Sequence, residues 1–187
     1  IDQNKKQIKI WHFVGWFVIF GLGALWHFMF EWLGDWEPIG WLFSVNESVW
    51  EHVKLMFWPA IIFYSVEAIF LWKKTNNFLF AKFIVLYFTP IVNIFIFYTY
   101  TGITGYESFI IDSIILFFVT GVQQWISYKL LTREEVWREK RTLKIILSIV
   151  GILLLAGVLA WWTYLPPHIP LFIDNNFMDY GILGHGH

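Results

Sequence analysis

The sequence predicts an all-α integral membrane protein, a bundle of about five transmembrane helices. Hydrophobic residues make up 58% of the 187 residues, whereas an ordinary soluble domain contains roughly 45–50% apolar residues. Charged residues make up only 14%, against about a quarter in soluble proteins. The apolar residues form five runs, and each run is long enough to cross a hydrocarbon core of about 30 Å. We expect these spans at residues 10–33, 48–72, 79–101, 109–131 and 143–165.

Short linkers join the five runs and predict a single membrane domain over residues 1–187. They carry turn-forming residues such as Gly34, Pro38, Asn76 and Gly102. No repeat with a period of 20–50 residues is visible in the sequence, which argues against a repeat protein.

The basic residues predict the orientation of the bundle. Twelve of the thirteen lysines and arginines fall at the N-terminus or around the second and fourth linkers, and Lys54 is the exception. Because cytoplasmic loops of membrane proteins retain lysine and arginine, we expect the N-terminus in the cytoplasm. The C-terminal tail, residues 166–187, is then expected on the extracytoplasmic side.

Charge and cysteine content exclude several classes of function. The formal net charge is -1, so the chain lacks the basic excess with which proteins bind nucleic acid. The chain has no cysteine, which excludes disulfides, thiolate metal ligands and a cysteine nucleophile. Any metal site must therefore be built from histidines and carboxylates.

Histidines and acidic residues gather at the predicted outer ends of the spans. An ionisable residue inside a span costs roughly 2.5–3.5 kcal/mol when central, so such residues are functional candidates by default. The outer set comprises His27, Glu31, Asp35, Glu37, Glu47, Glu51, His52, Glu107, Asp112, His168, Asp174, Asp179, His185 and His187.

His27 and Glu31 are four residues apart in the first predicted span. This spacing places both side chains on one face of a helix. The pair could share a proton or a cation, or it could form a hydrogen bond that only fixes helix packing.

The second span opens with the segment S-V-N-E-S-V-W-E-H-V-K at residues 44–54. Ser44 and Glu47 have the spacing of a capping box, in which each side chain bonds a free N–H group of the first turn. Asn46 is the alternative N-cap residue.

Capping does not explain the polar residues that follow. Glu47 and Glu51 would share one helical face, with Lys54 one turn further and His52 on the adjacent face. Each polar group inside a span needs a partner. Glu51 and Lys54 could neutralise each other in a structural ion pair, or the set could form a reactive site.

The tail after the fifth span combines prolines with apolar residues. Pro166, Pro167 and Pro170 prevent the helix from continuing, yet the following residues are too apolar for a free tail. We expect the tail to fold over the outer face of the bundle and to carry His168 and Asp174 toward the first two spans. The terminal Gly-His-Gly-His is better explained as an incidental end than as a metal site.

The segments N-E-S-V-W-E-H, W-H-F-M-F-E and P-P-H-I-P-L-F together resemble a family of small, functionally uncharacterised bacterial membrane proteins. The resemblance covers most of the chain and implies a multi-pass protein of the bacterial cytoplasmic membrane. It implies no activity.

The first functional hypothesis is a metal-dependent membrane enzyme that hydrolyses a lipid-like or amphipathic substrate at the outer leaflet. Zn²⁺ or another divalent metal would activate water, although the chain lacks the H-E-x-x-H motif of zinc proteases. The alternatives are an ion-binding or proton-coupled transport protein and a structural or sensor subunit, each with lipids as partners. The predicted metal ligands are His27, Glu31, His52, His168 and Asp174, and the predicted catalytic residues are Glu47, Glu51 and Lys54.

Overall fold

The structure is a computed structural model that describes residues 2–174 and 176–182. The described residues form six α-helices, four short 3-10 turns and a two-stranded antiparallel hairpin. The helices and strands are α1 (Asp2–Trp32), α2 (Val49–His52), α3 (Lys54–Leu71), α4 (Phe78–Thr104), α5 (Phe109–Leu131), α6 (Arg141–Tyr164), β1 (Ile173–Asp174) and β2 (Asp179–Tyr180).

Five helical segments are long and apolar enough to cross a membrane, which confirms the predicted all-α bundle. The first span begins six residues earlier than expected, because α1 continues into a polar N-terminal turn that hydropathy alone does not detect. The five segments are Asn4–Trp32, Val49–Lys74, Phe78–Thr104, Phe109–Leu131 and Arg138–Tyr164.

The bundle has two chemically different ends. α1 packs on α3 and α5, and α4 packs on α5 and α6, with the short connections that make sequence neighbours antiparallel. Residues 33–48, 105–108, 165–174 and 176–182 lie at one end, which we name the site end. Residues 72–77 and 132–140 lie at the other, which we name the basic end.

α2 begins with a cap that differs from the predicted one. The Ser48 hydroxyl accepts a hydrogen bond from the Glu51 N–H at 3.3 Å, so Ser48 is the N-cap residue. The Ser44 hydroxyl instead donates to the Asn46 carbonyl, and the Asn46 side chain accepts from the Ser48 N–H. The predicted Ser44–Glu47 box and the Asn46 cap are therefore wrong, because the same serine–glutamate spacing recurs four residues later.

The described part of the tail folds back over the site end, as predicted. Phe172 is 2% exposed, and its ring centroid lies 5.1 Å from that of Trp50 and 5.3 Å from that of Trp162. The Ile182 N–H donates to the Thr163 carbonyl at 3.0 Å. Apolar packing and backbone pairing together anchor this segment. His185 and His187 lie outside the described residues.

Candidate functional site

A cavity of about 200 Å³ opens at the site end between α1, α4, α5 and the start of α2. Its walls are mainly apolar and include four phenylalanines and several aliphatic residues. A few polar side chains enter it from four separate stretches of sequence. The polar lining consists of His27, Glu47, His52, Asn93, Glu107, Asp112 and Ser113.

Three of these side chains converge on one point. The Nε2 atom of His27 lies 3.6 Å from Glu47 Oε1, and the Nε2 atom of His52 lies 3.4 Å from Glu47 Oε2. The two imidazole rings are stacked with their centroids 5.4 Å apart. One donor atom from each residue lies within 4.8 Å of the other two, which is a spacing that could hold a metal ion.

Different elements bring these three residues together. His27 lies near the end of α1, Glu47 precedes α2, and His52 is the last residue of α2. Because Ser48 caps α2, the helix starts after Glu47. Glu47 is therefore not part of the helix, and its side chain does not lie on the helical face that was predicted for it. It turns toward the two histidines instead of aligning with Glu51.

One ring nitrogen of His52 is held by the backbone, and the other faces the carboxylate. The Nδ1 atom lies 2.8 Å from the Ser48 carbonyl oxygen, so Nδ1 carries a proton and donates it there. The Nε2 atom faces Glu47 Oε2 at 3.4 Å, a contact that needs either a proton on Nε2 or a cation between the two atoms. A carbonyl-bound second nitrogen is also the usual state of a metal-ligating histidine.

The same contacts act on Glu47. The adjacent His52 ring, and to a smaller extent His27, hold the pKa of the Glu47 carboxyl below its ordinary value, although partial burial opposes the shift. Glu47 is therefore ionised at neutral pH and can act as a ligand.

The structure does not bring Glu31, His168 or Asp174 into this group. Glu31 is exposed one turn beyond His27. His168 is exposed and stacks on Tyr180 with the ring centroids 4.6 Å apart. Asp174 is buried in the hairpin, where it accepts a hydrogen bond from the Asn176 N–H. The metal-binding roles predicted for these three residues stay predictions.

Glu51 and Lys54 form a buried ion pair beside the cavity rather than in its lining. The Lys54 Nζ atom lies 2.5 Å from Glu51 Oε2 and also donates to the carbonyls of Gly40 and Phe43. Glu51 accepts in addition from the Val45 N–H and the Thr163 hydroxyl. These contacts tie the 40–45 loop to α3 and α6, and they support the structural alternative for this pair.

A second carboxylate of the cavity has a fixed orientation. The Tyr100 hydroxyl donates to Asp112 Oδ1 at 2.6 Å, and the same hydroxyl accepts from the Ser108 N–H at 3.2 Å. Asp112 lines the same cavity from α5.

A buried ionic network that was not predicted from the sequence lies nearer the basic end. Lys82 lies 2.6 Å from Glu67 and donates to Ser127, and the imidazole of His12 bonds Ser127 at 2.9 Å. His12, Glu67 and Lys82 are each at most 4% exposed. The signal was present in the sequence, because Glu67 is the lone charged residue between Leu55 and Trp72. Lys82 had been counted with the basic linker.

The comparison with known proteins supports the family-level resemblance. No curated protein and no solved structure is similar enough to this chain to match it. The model of a family of unknown function, DUF6512, matches residues 2–182. The match spans nearly the whole chain, so the protein belongs to the family of unknown function DUF6512.

Proposed function

We propose that the protein is a metal-dependent membrane hydrolase whose metal ligands are His27, Glu47 and His52. The observation that carries this proposal is the convergence of three donor atoms within 4.8 Å in an apolar cavity. Two histidines and one glutamate are a recurrent ligand set of catalytic zinc sites, which keep a further position open for water or substrate. Sixteen residues line the cavity, so a substrate group can be enclosed beside that position.

A divalent cation at this point would supply Lewis acidity and lower the pKa of a water molecule. Asp112 is the carboxylate that we assign as general base, because Tyr100 fixes its orientation in the same cavity. It accepts a proton as the water oxygen bonds to the acyl carbon of an ester or amide. The bond from that carbon to the leaving oxygen or nitrogen then breaks, and the leaving atom takes the proton.

The proposed location is the outer leaflet of a bacterial cytoplasmic membrane. Exposed lysines and arginines are concentrated at the basic end, which the positive-inside rule assigns to the cytoplasm. The cavity at the opposite end then faces the extracytoplasmic side. Phe28 is 40% exposed and Phe109 is 67% exposed, so the cavity reaches the surface of the bundle, where an amphipathic substrate can enter from lipid.

Metal analysis of the purified protein tests the proposal. Wild type, Glu47→Gln and His52→Ala are treated with a chelator, supplied with Zn²⁺, desalted in detergent and measured by elemental analysis. We expect about one metal ion per wild-type chain and a loss of at least about tenfold in affinity in both variants, since each removes one of three ligands. His168→Ala is the matched control and should bind as wild type does. Equal metal content in wild type, Glu47→Gln and His52→Ala would overturn the proposal.

A second candidate function, proton-coupled transport, is favoured by the buried network alone. Ser127 accepts from Lys82 and therefore donates to His12, whose other ring nitrogen donates to the Ile8 carbonyl at 2.8 Å. Such a continuous chain inside a span is typical of proton relays. Vesicles that contain the protein and a pH-sensitive dye test it under an imposed membrane potential. A proton flux that Glu67→Gln abolishes would favour transport, and a flux equal to that of protein-free vesicles would exclude it.

A further inference from the structure

Among the described residues that line the cavity, Asn93 is the polar residue that lies deepest in the bundle. It lies in α4 eleven residues before Thr104, the last residue of the helix, which is roughly 16 Å from the site end at 1.5 Å per residue. Asp112 lies only three residues after the start of α5, roughly 5 Å from the same end. Asn93 is therefore about 10 Å deeper than Asp112, inside the apolar span of α4.

The side-chain amide of Asn93 has no hydrogen-bond partner within the described residues. Thr89 and Thr99 on the same helix each donate to the backbone carbonyl four residues earlier. A polar group that is left unpaired away from water costs free energy. Gln123 and Gln124 are also amides inside a span, but they are at most 2% exposed and do not line the cavity. Asn93 is therefore an amide whose missing hydrogen bonds a ligand in the cavity can supply.

The deep part of the cavity is otherwise apolar. Phe20 lines it twelve residues before the end of α1, Phe97 lies one turn above Asn93 on α4, and Leu116 lines it from α5. The histidines and acidic residues of the described lining all lie nearer the site end. A charged group at the depth of Asn93 would lose its hydration without gaining an opposite charge. An alkyl chain with an uncharged hydrogen-bonding group fits this part of the cavity.

We propose that Asn93 determines specificity for an ester or amide of a fatty acyl chain that carries a hydroxyl group, and that this hydroxyl hydrogen-bonds the Asn93 amide. The inference rests on the proposed hydrolase function, which places the scissile carbonyl at His27, Glu47 and His52. A hydroxyl suits the deep position because it is small, uncharged and both donates and accepts a hydrogen bond, as the amide does. The cavity volume of about 200 Å³, roughly seven times the 30 Å³ share of one water molecule in the liquid, holds several chain carbons between the two groups.

Positional isomers of one ligand test the inference. The probes are 2-undecanone, a ketone that cannot be hydrolysed, and its derivatives with a single hydroxyl at carbon 7, 8, 9 or 10. Each is titrated by calorimetry into chelator-treated and Zn²⁺-loaded protein in phosphatidylcholine nanodiscs, and titration into empty nanodiscs corrects for partition into lipid. The isomers have the same composition, so a difference between them reports on the site. We expect one or two adjacent isomers to bind about ten- to hundredfold more tightly than 2-undecanone.

Asn93→Leu separates a ligand-binding role of Asn93 from a structural one. Leucine has a similar shape without hydrogen-bonding atoms, so the affinities of the isomers should fall to within about twofold of one another. The thermal midpoint of the ligand-free variant should rise by roughly 2–4 °C, because an unpaired polar group has been removed from the membrane interior. Thr99→Val is the matched control, because Thr99 is exposed on the same helix outside the cavity lining. It should keep the preference among isomers.

The possible outcomes separate the two proposals. Stoichiometric zinc with equal affinity for all isomers and 2-undecanone would overturn the inference and leave the hydrolase proposal standing. A preference among isomers that Asn93→Leu abolishes, in protein that binds no zinc, would support the hydroxyl-binding role of Asn93 and overturn the metal-dependent function. A preference that persists in Asn93→Leu would overturn the inference. A lower thermal midpoint of that variant would overturn it too, because the amide would then have a structural partner.

Discussion

Gly23 lies where α1 makes a close approach to α3. A Cβ atom at this position would lie 2.6 Å from the backbone oxygen of Leu55. That carbonyl lacks its usual helical partner, because the residue four positions later is Pro59, which has no N–H. The missing side chain of Gly23 therefore lets α1 pack against a carbonyl that the proline releases.

Two glycine substitutions in α1 test this contact. We expect Gly23→Ala to lower the free energy of unfolding by about 1–3 kcal/mol, since the new methyl group must displace backbone. Gly21→Ala, where a Cβ meets nothing within 4 Å, should be neutral or stabilising by up to about 1 kcal/mol through helix propensity. Denaturation in detergent, followed by circular dichroism, measures both. Equal effects of the two changes would contradict the close approach.

The lowered pKa of Glu47 predicts a pH dependence with a defined sign. A carboxyl whose pKa is lower in the folded protein stabilises the fold above its unfolded pKa, and this contribution is lost as the pH falls through the folded pKa. The ordinary value is 4.5. The stability difference between wild type and Glu47→Gln should therefore favour wild type above about pH 4.5 and shrink toward zero in more acid solution. Thermal midpoints from pH 3 to 6 measure it, and a difference that grows in acid would contradict the sign.

The sequence predicted which residues form the site better than it predicted which of them pair. His27, Glu47 and His52 were all singled out, because polar residues in or beside apolar spans are conspicuous. The predicted contact between His27 and Glu31 is absent from the described residues. Helical spacing identifies neighbours on one helix and contains no information about residues on another element. Glu47 contacts His27 across the bundle, and that contact exists only after packing.

At the scale of whole elements, hydropathy located the long helices and missed the short features between them. The five spans follow from apolar run length, which burial in lipid imposes directly. The start of α2 depends instead on the hydroxyl of Ser48, which caps the helix. Ser44 and Ser48 each precede a glutamate by three residues, so the spacing alone does not show which serine is the cap. The pairing of β1 with β2 follows from tertiary contacts of its flanking residues, which no local pattern encodes.

α3 and α4 are joined by the buried pair Glu67 and Lys82, and this pair predicts strong coupling between two substitutions. Removing one partner leaves an uncompensated buried charge, so we expect Lys82→Met or Glu67→Leu alone to cost about 3–5 kcal/mol. The double variant removes both charges and should recover most of that loss.

A thermodynamic cycle of the four proteins in detergent measures the coupling. Lys73→Met is the matched control, because Lys73 is exposed at the basic end, and it should have an effect below about 0.5 kcal/mol. Strictly additive losses in the double variant would show that Glu67 and Lys82 do not act as a pair.

For the molecule as a whole, the distribution of residues is that of a protein solvated by lipid. Large apolar side chains cover the outside, with Ile103 81% exposed and Ile69 79% exposed, while Glu51, Lys54, Glu67 and Lys82 are buried. Water would favour the opposite arrangement. The four buried charges form two ion pairs, Glu51 with Lys54 and Glu67 with Lys82, as the absence of water in a bilayer requires.

The orientation of this bundle decides which leaflet would supply the proposed substrate, and single introduced cysteines can determine that orientation. The natural chain has no cysteine, so Asn76→Cys at the basic end and Asn176→Cys in the tail each introduce a unique thiol at an exposed position. A membrane-impermeant maleimide applied to spheroplasts should label Asn176→Cys. It should label Asn76→Cys only after the membrane is permeabilised, because the proposed orientation places the basic end, with its exposed lysines and arginines, in the cytoplasm. The reverse pattern would place the cavity at the inner leaflet, and the substrate would then have to come from the cytoplasmic side.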